Sequence, residues 1–151
     1  VSTQPRAGDH SSVGILGTGS YVPKEEVTND WVAEKTGVTP EWIERKTQIT
    51  ARRYAAPTEA TSDLAIKAAI EALGQAELAP EQVDYLIVAT STPDSPQPPT
   101  AALVQHELGV YGAACFDVNV VCSGFGGRRR HWQETRQGRC AAGRLLSRRQ
   151  R

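Results

Sequence analysis

The sequence predicts a layered α/β fold, a mostly parallel sheet with helices on both faces. Two observations lead there. Tyr85-Leu86-Ile87-Val88-Ala89 is a continuous apolar run behind Pro80 and Asp84, the pattern of a strand covered on both sides. Strand-like and helix-like segments also alternate from Val13 to Asn119, as expected for strands joined by helical crossovers.

Taken in order, Val13 to Gly19 is a short apolar run ending in glycines and reads as the first strand, closed by a tight turn. Thr28 and Asn29 are candidate N-caps for a helix through Trp31, Val32 and Lys35 that Gly37 ends. Thr39-Pro40-Glu41 starts a second helix, because proline is tolerated at the first helical position and an acid suits the positive helix end. Ser62 is expected to cap a helix from Asp63 to Leu73 with a broad apolar face, and Gly74 to stop it. After the strand at 85–89, Pro93 to Pro99 holds four prolines and must be a loop. Thr100 to Leu108 reads as helix closed by Gly109, and Ala114 to Asn119 as a further strand that delivers the chain to Val120-Val121-Cys122-Ser123-Gly124. No repeat of solenoid length is visible.

The 151 residues, 39% hydrophobic and 23% charged, suit one globular domain with a real core. No apolar run reaches a membrane span, and the polar start lacks the pattern of a secretory signal, so a cytoplasmic location and no membrane partner are expected. Cys115, Cys122 and Cys140 show no zinc-binding spacing, and no metal is expected. The formal net charge of zero hides an asymmetry: residues 1–124 hold eight basic and sixteen acidic side chains, whereas 125–151 hold nine arginines and a single acid, Glu134.

Cys122 is the candidate nucleophile. A cysteine at the turn after a buried strand, with Ser123, Gly124 and a helix expected next, sits where backbone N–H groups converge. Such a place lowers a thiol pKa and can hold an oxyanion. The alternative is a small buried hydrophobe.

The surrounding residues resemble the β-ketoacyl-acyl-carrier-protein synthase III family of the thiolase superfamily. The matching stretches are Ile15 to Pro23 (ILGTGSYVP), Val27-Thr28-Asn29, Glu41-Trp42-Ile43, Arg52-Arg53, Ser62-Asp63-Leu64-Ala65, Ile87 to Thr90, Thr92-Pro93-Asp94 and, above all, Phe116 to Phe125 (FDVNVVCSGF). The resemblance implies the amino-terminal half of a thiolase-like fold over 13–125. It implies an acyltransferase of fatty-acid or polyketide initiation that takes an acyl group from acyl-CoA onto Cys122 and condenses it with malonyl-acyl-carrier protein. Ser123 and Gly124 then form the nucleophile turn, and no cofactor beyond the acyl-CoA substrate is needed. A homodimer is implied as well. Trp42 corresponds to the family's adenine-stacking tryptophan, or else is a core or lid residue. Lys46 stands at the arginine position beside it, and Arg45 either compensates or is solvated. Gln48 replaces the usual glycine. Arg52 and Arg53 either add to a positive rim for the carrier protein or are plain surface. Gln97 corresponds to the acyl-pocket gate.

The family's histidine and asparagine belong to a carboxy-terminal half that this chain does not match. His131 lies in the arginine-rich tail, His106 on a helix face and His10 in the polar start; none is expected to act. Residues 1–12 are expected to be a disordered start. Residues 126–151 are expected to be disordered or out of frame, because a buried helix would not accept Arg128, Arg129 and Arg130 without partners. Val1, in a chain without methionine, is read as an alternative start. On this reading the chain is inactive alone. Two other readings stay open: a noncatalytic remnant that pairs with a condensing enzyme, and a protein with a basic arm for an acidic partner. Nucleic acid is not an expected partner.

Overall fold

A computed structural model describes residues 14–124, 140–142 and 145–146. Along the chain run β1 (Glu25–Thr28), α1 (Asn29–Thr36), α2 (Pro40–Thr47), β2 (Ala51–Tyr54), α3 (Thr61–Gln75), β3 (Tyr85–Ala89), α4 (Thr100–Leu108), β4 (Ala114–Val118), β5 (Cys140–Ala142) and β6 (Leu145–Leu146). Short 3-10 turns occupy Pro80–Gln82 and Val121–Ser123.

The main sheet has the order β4-β3-β5-β6. β3 is parallel to β4, with Tyr85 beside Ala114 and Ala89 beside Val118, and parallel to β5; β5 and β6 are antiparallel. Alternation along β3 splits the core in two. Leu86 and Val88 join Ala69, Ala72 and Leu73 of α3 and Ala101, Val104 and Leu108 of α4 in one buried cluster. Ile87 faces the other way, against Tyr85, Phe116 and Val118. Burying each such aliphatic side chain contributes about 1.5–3 kcal/mol.

A separate antiparallel pair, β1 with β2, frames α1 and α2. α2 starts at Pro40 as expected, and Thr39 caps it, its hydroxyl accepting the Trp42 amide at 3.2 Å. Gly37 ends α1 in the left-handed region at φ 75°. Asn29 is not a cap: it is buried, and its side-chain amide donates to the Ile49 carbonyl at 2.8 Å while Arg52 donates to its oxygen at 2.8 Å, tying α1 to the entry of β2.

Three further expectations are corrected. Residues 14–19 form no strand beyond a single bridge at Gly17. They cross the backbone of α3 instead: an added β-carbon at Gly17 would stand 2.5 Å from the Ala72 carbonyl oxygen, and one at Gly19 2.5 Å from the Ala72 amide. Amides freed from sheet pairing are taken up by α3 side chains, Thr18 N by Gln75 at 2.5 Å and Ser20 N by Glu71 at 2.8 Å. Ser62 is not the cap of α3. The helix begins at Thr61, and Asp63 reaches back to the Ala60 amide at 2.8 Å. Gly74 does not stop it either. The end is a paired C-terminal cap in which Glu77 donates to the Gly74 carbonyl and Leu78 to that of Leu73, with Glu77 at φ 52°.

Candidate active site

The parallel strands β3 and β4 end level with one another, and the Thr90 amide donates to the Val118 carbonyl at 3.2 Å, closing the sheet at that edge. Beyond it the chain passes Asn119 and Val120 into the turn Val121–Ser123, whose middle residue is Cys122. Ser123 donates to the Val120 carbonyl at 3.0 Å, and Gly124 to that of Val121. Both amides expected to face an oxyanion are thus bonded within the turn itself.

Two backbone features fix this turn, and neither was read from the sequence. Val121 lies at φ 47°. A β-branched residue is rare there, and the strain costs about 1–3 kcal/mol. Gly124 has helical dihedrals and is buried; an added β-carbon would lie 3.0 Å from Ala89 Cβ, so the turn sits against the end of β3 where a side chain would crowd it. A non-glycine residue at positive φ leaves no mark in hydrophobic periodicity.

Asp117 was also missed as a structural group. Its carboxylate accepts the amides of Thr100 and Ala101 at 2.8 Å each, capping α4 from the neighbouring strand. The one available signal was a charged residue inside a strand. The same carboxylate, after burial, helps hold the Cys115 thiol pKa above its ordinary value, and Cys115 donates to Gln105 at 3.3 Å.

The residues assigned to CoA lie together on α2. Trp42 and Lys46 are one turn apart and share a face, Arg45 lies beside them, all three are exposed, and Ile43 is the buried anchor of the helix. Gln48 closes α2 in the left-handed region at φ 57°, where glycine is favoured. Arg52 and Arg53 are engaged locally: Arg53 pairs with Glu26 at 2.8 Å and donates to the Lys24 carbonyl, while Arg52 is held by Asn29. α2 packs on α1, whereas the Cys122 turn follows β4 of the main sheet.

Gln97 is exposed in the proline-rich loop, and its carbonyl accepts the Ser95 hydroxyl at 3.1 Å. His106 lies on the last turn of α4, its Nδ1 3.4 Å from the Tyr111 hydroxyl, an ordinary helix-face position. His10 and His131 lie outside the described residues. Among the described residues no cluster of His, Cys, Asp and Glu is arranged for a metal, and no helix is long and apolar enough to cross a membrane.

No family model matches the chain. Individual proteins do. It is 59% identical over 110 residues to the acetoacetyl CoA synthase NphT7 of a Streptomyces species, covering 73% of this chain and 33% of that protein. It is 50% identical over 125 residues to a β-ketoacyl-[acyl-carrier-protein] synthase III of Caldanaerobacter subterraneus, covering 76% and 34%. Among solved structures, the 3-oxoacyl-[acyl-carrier-protein] synthase III of Aquifex aeolicus superposes with a TM-score of 0.79 at 35% identity, over 87% of this chain and 45% of that one. The priming β-ketosynthase of the R1128 polyketide pathway gives 0.81 at 31%, over 93% and 44%. The chain spans about a third of the length of the curated relatives it matches. Over that stretch it resembles the β-ketoacyl-acyl-carrier-protein synthase III family and has the corresponding part of the thiolase-like α/β fold.

Proposed function

We propose that this chain carries the acyl-accepting half of a decarboxylating condensing enzyme, with Cys122 as nucleophile. The Cys122 thiolate attacks the thioester carbonyl of an acyl-CoA, the bond to the coenzyme sulfur breaks, and the coenzyme leaves as the free thiol. In the second step malonyl-acyl-carrier protein loses carbon dioxide. The resulting carbanion attacks the Cys122 thioester, giving a 3-oxoacyl-acyl-carrier protein and returning the thiolate. Splitting one difficult bond formation into two easier steps is the gain of covalent catalysis.

The observation that carries this reading is the place of the turn: residues 121–123 follow the end of a parallel strand, strained at Val121 and seated on β3 through Gly124. For Ser123 and Gly124 to stabilise an oxyanion, their bonds to Val120 and Val121 must be exchanged for bonds to the substrate. Trp42, with Lys46 and Arg45, offers an aromatic face and positive charge for the adenine and phosphates of CoA, and Gln97 borders the acyl pocket. On this reading the carbanion is stabilised by the family's histidine and asparagine, which belong to a part of the family that these 151 residues do not match, and the chain's own share of the reaction is to accept the acyl group. A homodimer is part of the same reading.

A second reading is favoured by the relative named acetoacetyl CoA synthase at 59% identity. It keeps the Cys122 step and passes the acyl group to a CoA-bound malonyl unit.

Incubating the chain with isotopically labelled acetyl-CoA, malonyl-CoA and malonyl-acyl-carrier protein tests both. The expected result is label on the Cys122 peptide and no 3-oxoacyl product. Product formed by the chain alone contradicts the division of labour, and adding the carboxy-terminal part of a matching synthase identifies the acceptor by which product appears.

A further inference from the structure

Two carboxylates hold the ends of the proline-rich loop, and one of them sits on the strand that leads to Cys122. At the start, Asp94 accepts the Ser62 amide at 3.0 Å and the Ser62 hydroxyl at 2.5 Å, which seats it on the first turn of α3. The Asp94 amide in turn donates to Thr100 Oγ1 at 3.2 Å. At the far end, Asp117 takes the amides of Thr100 and Ala101. Thr100 and Ala101 are both 0% exposed, so water does not compete for these bonds. Between the two anchors the crest Pro96–Pro99 is exposed, with Gln97 on it.

Asp117 does work at α4 that a local side chain does elsewhere. Pro99 occupies the N-cap position and makes no side-chain cap, so the first amides of the helix depend on an acceptor from the sheet. A carboxylate there is also favoured by the helix dipole. Asp117 is at the same time the second-last residue of β4, three positions before Val120, where the Cys122 turn begins. Asp117 therefore holds the end of the loop through its side chain and leads into the turn through its own backbone.

We propose that Asp117 is a positioning residue that couples the loop carrying Gln97 to the turn carrying Cys122, so that the two keep a fixed relation while an acyl group is received. The functional consequence rests on the acyl-transfer reading above; the coupling itself does not. Thr100 is the junction, since its amide belongs to Asp117 and its hydroxyl to Asp94.

The full chain is compared with Asp117→Ala, Asp117→Asn and Thr100→Val by peptide-resolved hydrogen exchange and by single-turnover acylation of Cys122 with varied acetyl-CoA. Asp117→Ala raises exchange about tenfold in both 93–99 and 119–124, leaving β3 unchanged. Thr100→Val, which removes only the acceptor for Asp94, raises it in 93–99 alone. Asp117→Asn keeps one oxygen for one of the two amides and gives a smaller rise, roughly threefold, in the same two segments. In acylation, Asp117→Ala lowers the limiting rate about tenfold at an unchanged half-saturating acetyl-CoA concentration, whereas a loss of folded molecules lowers the amplitude instead. Exchange that rises only in 100–103, or evenly along the chain, overturns the proposal, as does an unchanged limiting rate. Should Asp117→Ala fail to fold, Asp117→Asn decides it: a rise in both segments supports the coupling, and a rise in neither overturns it. A parent chain that takes no acetyl group contradicts the proposed function, and the exchange comparison still decides the coupling.

Discussion

Gly124 and Ala89 lie so close that a β-carbon added to the glycine would stand 3.0 Å from the alanine methyl. This contact seats the Cys122 turn on the end of β3, where the Thr90 amide closes the sheet against Val118. Gly124→Ala is expected to push the turn off β3 by a few tenths of an ångström and to destabilise the fold by about 1 kcal/mol, the low end of overpacking costs. Denaturant midpoints give the cost, and a variant as stable as the parent contradicts the contact.

The segment before β1 makes a stronger demand. A β-carbon at Gly17 or Gly19 meets the α3 backbone itself, at 2.5 Å from the Ala72 carbonyl oxygen and the Ala72 amide respectively. Backbone inside a helix does not yield as a side chain does, so Gly17→Ala and Gly19→Ala should each cost about 3 kcal/mol or strip residues 14–24 from α3. Hydrogen exchange at Thr18 and Ser20, whose amides are held by Gln75 and Glu71, separates the two outcomes. Wild-type protection and stability together would show that the crossing is looser than described.

Gln48 occupies a position built for glycine. At φ 57° an L side chain is strained, and glycine removes that strain at a smaller entropic cost, so Gln48→Gly should stabilise the chain by about 0.5–1 kcal/mol. Gly37→Ala, at φ 75°, should move stability the other way by a similar amount. Paired thermal melts check both signs.

These positions show what the sequence carries and what it does not. β3 and α4 were legible to the residue, because a strand buried on both faces has no polar interruption and Gly109 marks the helix end. The start of α2 was legible because Thr39-Pro40-Glu41 is local chemistry. The course of 14–19 was not, since an apolar run with two glycines looks the same whether it pairs in a sheet or crosses a helix. Gly74 misled for a related reason: the left-handed residue after α3 is Glu77, and the helix simply runs through the glycine. Within the site, Cys122 stood out through its family motif. The strain at Val121 and the reach of Asp117 to Thr100 depend on three-dimensional neighbours, which no spacing rule encodes.

Lys67 donates to Glu59 at 2.6 Å, and Tyr21 donates to the same oxygen at 2.8 Å. The Lys67 and Tyr21 bonds, then the Ala56 amide, hold the Glu59 pKa at about 2 instead of 4.5. A carboxyl with a lowered folded-state pKa contributes stability that is fully present above its unfolded value and lost as pH falls, here between about 4.5 and about 2. Lys67, raised above 10.5 chiefly by Glu59, gives its share below that value and loses it at higher pH. Glu59→Gln should therefore melt below the parent at pH 6, with the gap closing by pH 2. A gap that stays constant across that range contradicts the assignment.

Acyl transfer to a single sulfur is the claim on which the functional account stands. The most direct measurement is the mass of the chain after brief exposure to acetyl-CoA, with peptides mapped and with Cys122→Ala and Cys115→Ala run beside the parent. The account predicts one acetyl group on the peptide holding Cys122, retained in Cys115→Ala and absent in Cys122→Ala. An unmodified parent, or an acetyl group that persists in Cys122→Ala, would contradict it.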